Sequence, residues 1–229
     1  MNRRRITLAH GGGGEAMREL VEQLFLHHFH DPLLTPLDDQ ARLPPSPPGS
    51  RPAFTTDAYV VQPLFFPGGD IGRLAVAGTV NDLVVGGAEP AYLSCAFIIE
   101  EGLPLETLER IVASMAATAS EAGIRIVTGD TKVVPRGAAD GLFITTSGIG
   151  HLPEGRQLSP RAIQAGDAIL VSGWVGDHGA AITAAREELA LEGLSPSDCR
   201  PSPPWWRPCS PPAPRPVACA TPPEAAWRR

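Results

Sequence analysis

The chain has 229 residues, a net charge of -6, a sequence isoelectric point near 5.5, and 43% hydrophobic residues. This length and apolar content suffice for one large domain or two small ones, and the acidic balance gives nucleic-acid binding no electrostatic support. No long apolar region follows the basic run Met1–Arg5, so we expect neither a secretory signal nor a membrane span. Four cysteines without a CxxC pair argue against a disulfide framework or zinc site, and the cytoplasm is the expected location.

The first part of the chain alternates helical and extended patterns. A glycine-rich loop at Thr7–Gly14 precedes an amphipathic helix predicted over Glu15–Phe29. The stretch Leu43–Pro52 predicts a loop, because proline fits neither a helix interior nor a central strand. A strand is predicted over Thr55–Gln62, and a helix whose small residues allow close packing is predicted over Ile71–Gly86.

The alternation continues to the end of the regular part of the chain. Further strands are predicted at Tyr92–Ile99, Ile124–Thr128, Phe143–Ser147 and Ala168–Ser172, and further helices at Pro104–Ala122 and Ala180–Leu191. Strands that alternate with helices indicate an α/β or α+β fold. The polar, turn-rich stretch His151–Pro160 is the predicted boundary between two units.

Acidic residues at or near predicted loops and element ends are candidates for a cation site. They are Asp38, Asp39, Asp57, Asp82 and Asp130. Carboxylate oxygens that converge from several loops suit Mg²⁺, which prefers hard oxygen ligands and shares them with phosphate oxygens. Each aspartate taken alone is better explained as a helix cap or a turn residue.

Two further stretches are candidates for binding phosphate. The HGGGG run before a helix can present backbone N–H groups to an anion, although it lacks both the Walker GK[ST] and a GxGxxG pattern. A flexible hinge is the alternative for this run. Lys132, in TGDTKVV after a buried strand, has two hydroxyls and a carboxylate nearby and can meet a phosphate; a solvated surface lysine is the alternative.

Three stretches resemble the HypE family of hydrogenase maturation factors. They are TTDAYVVQPLFFPGGDIGRLAVAGTVNDLVVGGAEPAYLSCAFIIEEGLP, TGDTKVVPRGAADGLFITTSGIG and GDAILVSGWVGDHGAAITAAREEL. The parent group is the PurM-like ATP-binding superfamily, with aminoimidazole ribonucleotide synthetase, thiamine-monophosphate kinase and selenophosphate synthetase. The resemblance runs from about Ile6 to about Asp198, and PLFFPGGDIG and GDTKVVPRGAAD distinguish the HypE branch from the others.

This resemblance implies a two-domain PurM-like α/β (α+β) fold. Residues 1–153 would form a ferredoxin-like N-terminal domain that binds ATP and Mg²⁺ and pairs across a homodimer, with 43–52 as a proline-rich loop. Residues 160–198 would begin a second domain that is incomplete here. Residues 199–229 would be an irregular tail.

The resemblance also implies roles for individual residues. The metal-binding acidic positions of the family match Asp39, Asp57, Asp82 and Asp130, and Asp38 is a neighbour able to share that role. The phosphate-facing positions match Gly11, Gly12, Gly13, Gly14, Thr131 and Lys132. Asp70 lies in the PGGD turn and is a candidate for handling ATP or substrate; Asp70 and Lys132 are therefore the catalytic candidates.

For activity, the resemblance implies [NiFe]-hydrogenase maturation. HypE-like proteins receive a carbamoyl group from HypF on a C-terminal cysteine, and ATP dehydrates this thiocarboxamide to a thiocyanate. The cyanide then reaches the active-site iron through a HypC–HypD complex. The alternatives are a non-catalytic, ATP-binding dimeric scaffold for maturation partners and another PurM-like phosphoryl-transfer enzyme.

The tail Arg200–Arg229 departs from the family pattern. It contains ten prolines and three of the four tryptophans, and Cys199, Cys209 and Cys219 do not occupy the family's terminal position. With free third bases, a shifted frame can give LVAALLAAGP and LRDATRGGLA, which predicts a frameshift near Ser197–Pro204. A natural proline-rich tail is the alternative. We further expect Gly166–Leu191 to expose a face meant for absent strands, and activity to be impaired.

Overall fold

A computed structural model describes residues 5–169, 171, 173–189 and 193–202. Its strands are β1 (Ser50–Tyr59), β2 (Phe65–Phe66), β3 (Gly69–Asp70), β4 (Glu89–Glu100), β5 (Arg125–Val134) and β6 (Leu142–Pro153). Its helices are α1 (Glu15–Leu20), α2 (Leu26–Phe29), α3 (Ile71–Val85), α4 (Leu105–Ala122) and α5 (Asp177–Arg186). A π-helical segment, Val21–Phe25, joins α1 to α2, and 3₁₀ turns lie at Leu8–Gly11 and Pro160–Ala162. The predicted α/β class is confirmed.

Four strands form one mixed sheet in the order β1-β6-β4-β5. Strand β6 is antiparallel to both β1 and β4, whereas β4 and β5 are parallel and are joined by the crossover helix α4. Strands β1 and β5 are therefore the two edges of the sheet. The short strands β2 and β3 form a separate antiparallel pair just before α3.

Helices α3 and α4 pack against one face of this sheet and against each other. A β-carbon on Gly72 would lie 2.5 Å from the carbonyl oxygen of Ile111, so the two helices touch where only glycine fits. Helix α4 buries Leu108, Ile111 and Met115 completely and ends at Gly123, whose φ of 67° gives the left-handed turn common at helix ends. The predicted close packing of α3 is confirmed.

The two faces of the sheet differ in what covers them. Along β4, Leu93, Cys95 and Ile99 point into the helical layer and are buried. The opposite side carries Ile98, which is 41% exposed, and on β1 the side chain of Phe54 is 70% exposed. We call this side the open sheet face.

An ion pair between the buried Asp31 carboxylate and the exposed Arg125 guanidinium ties the segment after α2 to the sheet. The Asp31 carboxylate accepts hydrogen bonds from Arg125 Nε (2.7 Å) and Nη2 (2.8 Å) at the start of β5. Burial alone would raise the pKa of Asp31, but the hydrogen bonds from Arg125 and from the Leu33 N–H outweigh it and hold that pKa below its usual value.

Several strand boundaries predicted from the sequence were wrong: β1 ends at Tyr59 rather than Gln62, and β6 continues to Pro153 rather than ending at Ser147. Strand β1 begins at Ser50, so Ser50–Pro52 is not loop; Pro52 is tolerated because β1 is an edge strand. Strand β5 runs to Val134 rather than ending at Thr128, because it pairs with β4 as far as Glu100. Asp130, Thr131 and Lys132 therefore lie within a strand and not in the loop that follows it.

Beyond β6 the described chain has little regular structure. Residues 168, 169 and 171 of the predicted strand Ala168–Ser172 are not in a strand, and its other two residues lie outside the described ones. Helix α5 begins at Asp177 and ends at Arg186, and Ala190 and Leu191 of the predicted helix also lie outside. Ile169 is 91% and Trp174 is 84% exposed.

The last part of the tail, residues 203–229, lies outside the described residues, with Cys209 and Cys219 and the predictions made for them. No helix in the described part of the chain combines the length and the apolar character that crossing a membrane requires.

Candidate functional site

An acidic pair lies where β1 meets α3. Thr55 Oγ1 on β1 donates to Asp82 Oδ2 on α3 at 3.1 Å, and Asp57 lies two residues further along the same face of β1. Burial raises the pKa of Asp82, the negative charge of Asp57 raises it further, and the Thr55 hydrogen bond opposes both. Two carboxylates and a hydroxyl are hard oxygen donors, and Mg²⁺ commonly takes one or two carboxylates plus phosphate and water, so this pair fits that ion.

Three buried hydroxyls lie directly beneath the pair, and we call them the hydroxyl seam: Tyr59, Thr79 and Thr146. Tyr59 Oη lies 3.1 Å from Thr79 Oγ1, which lies 2.5 Å from Thr146 Oγ1, and Thr146 donates to the Ala75 carbonyl at 3.1 Å. Burial raises the pKa of Tyr59 above its usual value, the hydrogen bond with Thr79 opposes this, and the negative charge of Asp57 raises the pKa further. Sequence reasoning missed this seam, although Thr55, Asp57 and Tyr59 show the strict alternation of one strand face.

The glycine loop, by contrast, lies against β5. A β-carbon on Gly11 would be 2.5 Å from the Val133 backbone nitrogen, so the loop rests beside the residue that follows Lys132. Lys132 Nζ lies 3.4 Å from Asp130 Oδ1, which also accepts the Thr131 N–H at 2.8 Å. Backbone N–H groups and a nearby ammonium are suitable partners for a phosphate, and the structure places Gly11 of the predicted phosphate-facing loop beside the part of β5 that holds Lys132. The Thr131 side chain lies apart from them, because it is buried on the helical side.

The two groups lie at opposite edges of the sheet and on opposite faces. Asp57 is in register with Thr146, which is buried beneath α3, so Asp57 faces the helical layer. Lys132 is in register with Ile98 of the open sheet face. Three strand spacings of about 4.8 Å separate β1 from β5, roughly 14 Å. One copy of the chain therefore does not bring Asp130 and Lys132 to the acidic pair.

Asp38 and Asp39 are exposed in the loop before β1, where Asp38 forms an ion pair with Arg42 at 3.4 Å. Within the described residues, no three carboxylate, histidine or cysteine side chains come close enough to hold a metal ion. The five predicted metal-binding residues therefore lie in three places. Asp57 and Asp82 lie where β1 meets α3, Asp130 lies on β5, and Asp38 and Asp39 lie in the loop before β1.

Asp70 caps α3. Its Oδ1 accepts the backbone N–H groups of Gly72 (2.7 Å) and Arg73 (3.1 Å), which satisfies two donors at the start of the helix. This gives the PGGD turn a structural reason for its aspartate. The proposed role of Asp70 in handling ATP or substrate stays a prediction.

A segment near the end of the described chain runs over α3 beside the acidic pair. The Ser197 N–H donates to the Pro67 carbonyl at 2.8 Å, and Arg73 Nε donates to the Cys199 carbonyl at 2.7 Å. The Asn81 side chain donates to the Arg200 carbonyl (3.2 Å) and accepts the Ser202 N–H (2.6 Å). The hydrogen bonds that join the Arg73 and Asn81 side chains to the main chain of this segment could not be predicted from the sequence.

The fold and these two groups of polar residues indicate the family of proteins to which the chain belongs. The sequence model of the AIR synthase related protein N-terminal domain matches residues 37–152, and the chain belongs to this family. The match covers β1 to β6, and so includes both the acidic pair and the β5 residues.

Within that family, the chain is similar to the HypE proteins. It is 58% identical over 198 residues to the carbamoyl dehydratase HypE of Rhodobacter capsulatus, covering 85% of this chain and 57% of that protein. A crystal structure of HypE in complex with ATP is 52% identical with a TM-score of 0.81, covering 85% of this chain and 57% of that one. A HypE–HypF complex gives 50% identity and a TM-score of 0.64, covering 80% and 58%. The resemblance to HypE is confirmed, and the chain spans somewhat more than half the length of these relatives.

Proposed function

We propose that this chain supplies the ATP- and Mg²⁺-binding part of a HypE-type carbamoyl dehydratase in [NiFe]-hydrogenase maturation. The observation that carries the proposal is the 58% identity to a carbamoyl dehydratase over 85% of the chain. ATP enters the proposal because a relative with a TM-score of 0.81 was solved in complex with ATP. HypF enters as a partner because a relative forms a HypE–HypF complex; the HypC–HypD complex and the cytoplasmic location are proposed on the family resemblance alone.

The nucleotide site is proposed to form between two copies of the chain. Asp57 and Asp82 at one edge of the sheet and the Gly11–Gly14 loop with Asp130 and Lys132 at the other are too far apart for one site. Pairing two open sheet faces would cover the exposed Phe54 and Ile98 and could bring the β5 edge of one copy to the β1 edge of the other. Formation of a homodimer through the open sheet faces would thus complete a site whose two halves lie on different edges of the sheet.

The proposed reaction places distinct demands on the chain's residues. When bound, Mg·ATP supplies a γ-phosphoryl group to the oxygen of the thiocarboxamide; this oxygen then leaves as phosphate, and loss of both N–H protons leaves the C≡N bond of a thiocyanate. Asp57 and Asp82 would hold the cation. Lys132 would compensate the charge that develops on the phosphoryl oxygens, and the glycine loop would orient the phosphates with its N–H groups.

The cysteine that would carry the carbamoyl group is not Cys95. Its side chain is 2% exposed in the core, and burial raises the pKa of the thiol far above its usual value, so no reactive thiolate forms there. Turnover by this chain thus depends on another cysteine or on a partner. Binding of ATP without turnover would favour the alternative function of an ATP-binding dimeric scaffold.

The chain offers a direct test, because Lys132 is the one lysine in its sequence. A lysine-reactive acyl phosphate of ATP should label the protein at Lys132, and an excess of Mg·ATP should prevent the labelling. Asp57→Asn and Asp130→Asn should lose this protection, whereas Glu109→Gln, an exposed carboxylate on α4, should keep it. Labelling that Mg·ATP does not reduce would contradict nucleotide binding at Lys132. ATP hydrolysis with and without a carbamoylated partner then separates the enzyme from the scaffold.

A further inference from the structure

The turn between β2 and β3 holds the end of the described chain, and we call residues 197–202 the strap. The Pro67 carbonyl accepts the Ser197 N–H at 2.8 Å. The strap lies so close to this turn that a β-carbon on Gly68 would collide with the Ser197 main chain, and the φ of 95° at Gly68 also favours glycine. The PGGD motif therefore has a second use, besides the cap that Asp70 provides for α3.

Two side chains of α3 continue this site, and both contact the strap through its main chain. Arg73 Nε donates to the Cys199 carbonyl at 2.7 Å. The Asn81 side-chain amide donates to the Arg200 carbonyl at 3.2 Å and accepts the Ser202 N–H at 2.6 Å. One side-chain amide thus supplies both the donor and the acceptor that a neighbouring strand would supply.

Hydrogen bonds to main-chain atoms do not depend on the side chains of the segment that is bound. Where an extended peptide adds to a protein in this way, the main-chain hydrogen bonds give affinity and side-chain pockets give specificity. Arg200 and Ser202 are each held by a main-chain atom, and Pro201 between them has no N–H to satisfy. This part of the strap can therefore change in sequence without losing its contacts, as long as residue 202 keeps its N–H.

The Ser197 side chain links the strap to α5. Its hydroxyl lies 2.8 Å from His178 Nδ1 and accepts the Cys199 N–H at 3.2 Å, and Ser197 is 7% exposed. The His178 ring in turn meets the Phe66 ring edge to face, with ring centroids 5.4 Å apart. Because the strap joins α5 to the turn between β2 and β3, release of the strap should loosen α5 as well.

We propose that Pro67, Gly68, Arg73 and Asn81 form a docking site for an extended peptide main chain, and that its occupant is the strap of the same chain. The docked strap holds α5 beside β2, whichever side chains stand at positions 200 and 202. The resemblance to the HypE family ends at about Asp198, so the site holds main chain on both sides of that point. The proposal goes beyond the proposed function and does not depend on nucleotide binding.

Hydrogen exchange of the full chain tests the docking site at the Ser197 and Cys199 N–H groups, with mass spectrometry that resolves single residues. Ser202→Pro removes the N–H that Asn81 accepts, so exchange at both groups should be about tenfold faster, the change expected for losing one net hydrogen bond. The N–H groups of α5 should exchange faster too. Ser202→Ala and Arg200→Ala are the matched controls, because they change side chains alone, and both should exchange as wild type does.

A change on α3 provides an independent test of the same contacts. Asn81→Leu keeps the size of the side chain but removes its donor and its acceptor, so exchange at Ser197 and Cys199 should again be about tenfold faster. The double variant Asn81→Leu/Ser202→Pro should exchange about as fast as Asn81→Leu alone, because each change removes the hydrogen bond between these two residues.

Three results would overturn the proposal. Wild-type exchange in both Ser202→Pro and Asn81→Leu would show that the docking site does not hold the strap. Faster exchange in Ser202→Ala or Arg200→Ala would show that side chains, and not the main chain, are recognised. Protection of the strap that weakens on dilution of the wild-type protein would assign the occupant to a second copy of the chain.

Discussion

Gly11 and Val133 touch where no side chain fits, since a β-carbon on Gly11 would lie 2.5 Å from the Val133 nitrogen. This contact holds the glycine loop beside Lys132. Gly11→Ala should push the loop away from β5 and weaken Mg·ATP binding by about tenfold, the change that 1.4 kcal/mol produces. Fluorescence titration with a labelled ATP measures it. Gly179→Ala, at an open helical position in α5, should bind as wild type does. If Gly11→Ala and Gly179→Ala bind Mg·ATP with equal affinity, the position of the glycine loop does not affect nucleotide binding.

The open sheet face should be where two copies meet. Phe54→Lys places a charge on this surface in place of an exposed apolar side chain, so the variant should be monomeric by sedimentation where wild type is a dimer. Mg·ATP affinity should fall with it, because the proposed site needs both copies. Ile163→Lys is the control, since Ile163 is 57% exposed but lies outside the sheet. A dimeric Phe54→Lys variant would place the interface elsewhere.

The acidic pair should cost the ligand-free protein some stability. Burial and Asp57 raise the pKa of Asp82, so its charged form is disfavoured in the folded state. Asp82→Asn should therefore raise Tm at pH 7 by about 1–2 °C while abolishing cation binding. The gain should vanish as pH falls below about 3.9, where Asp82 is protonated even in the unfolded chain. A lower Tm for the variant at pH 7 would contradict this account of the pair.

Asp31 should show the opposite pH dependence. Because Arg125 holds its pKa below the usual value, its contribution to stability is complete above about pH 3.9 and is lost as pH falls through the lower folded value. Asp31→Asn should reduce the free energy of unfolding in urea by about 1–3 kcal/mol at pH 7, and the difference should shrink in acid. The exposed pair Arg18–Glu22 is the comparison, and Glu22→Gln should cost under about 0.5 kcal/mol. Similar losses in both variants would refute the special role of Asp31.

The helices and the core of the sheet follow from the sequence because their signals are local. The small residues within α3 and the proline and Gly123 that flank α4 are enough to locate these two helices along the chain. The limits of β1 and β5 could not be predicted in the same way. They depend on which strand lies beside them, and this pairing also places Asp130 within a strand.

The candidate site was only partly accessible to sequence reasoning. Aspartates and a lysine near phosphate-binding patterns have recognisable chemistry, so Asp57, Asp82 and Lys132 could be chosen from their types. Tyr59, Thr79 and Thr146 could not, because a tyrosine and two threonines in apolar elements resemble ordinary core residues until strand register brings them together. The separation between the acidic pair and Asp130 could not be predicted either, because it depends on the order of the strands in the sheet.

The central claim, a nucleotide site shared between two copies, is tested most directly by mixing two defective variants. Asp82→Asn and Lys132→Ala should each bind almost no Mg·ATP alone. After subunit exchange, half of the dimers are mixed, and each mixed dimer contains one site with both residues intact. The mixture should therefore regain about one quarter of the wild-type sites. A mixture of exchanged dimers that binds no more Mg·ATP than either variant alone would contradict the shared site.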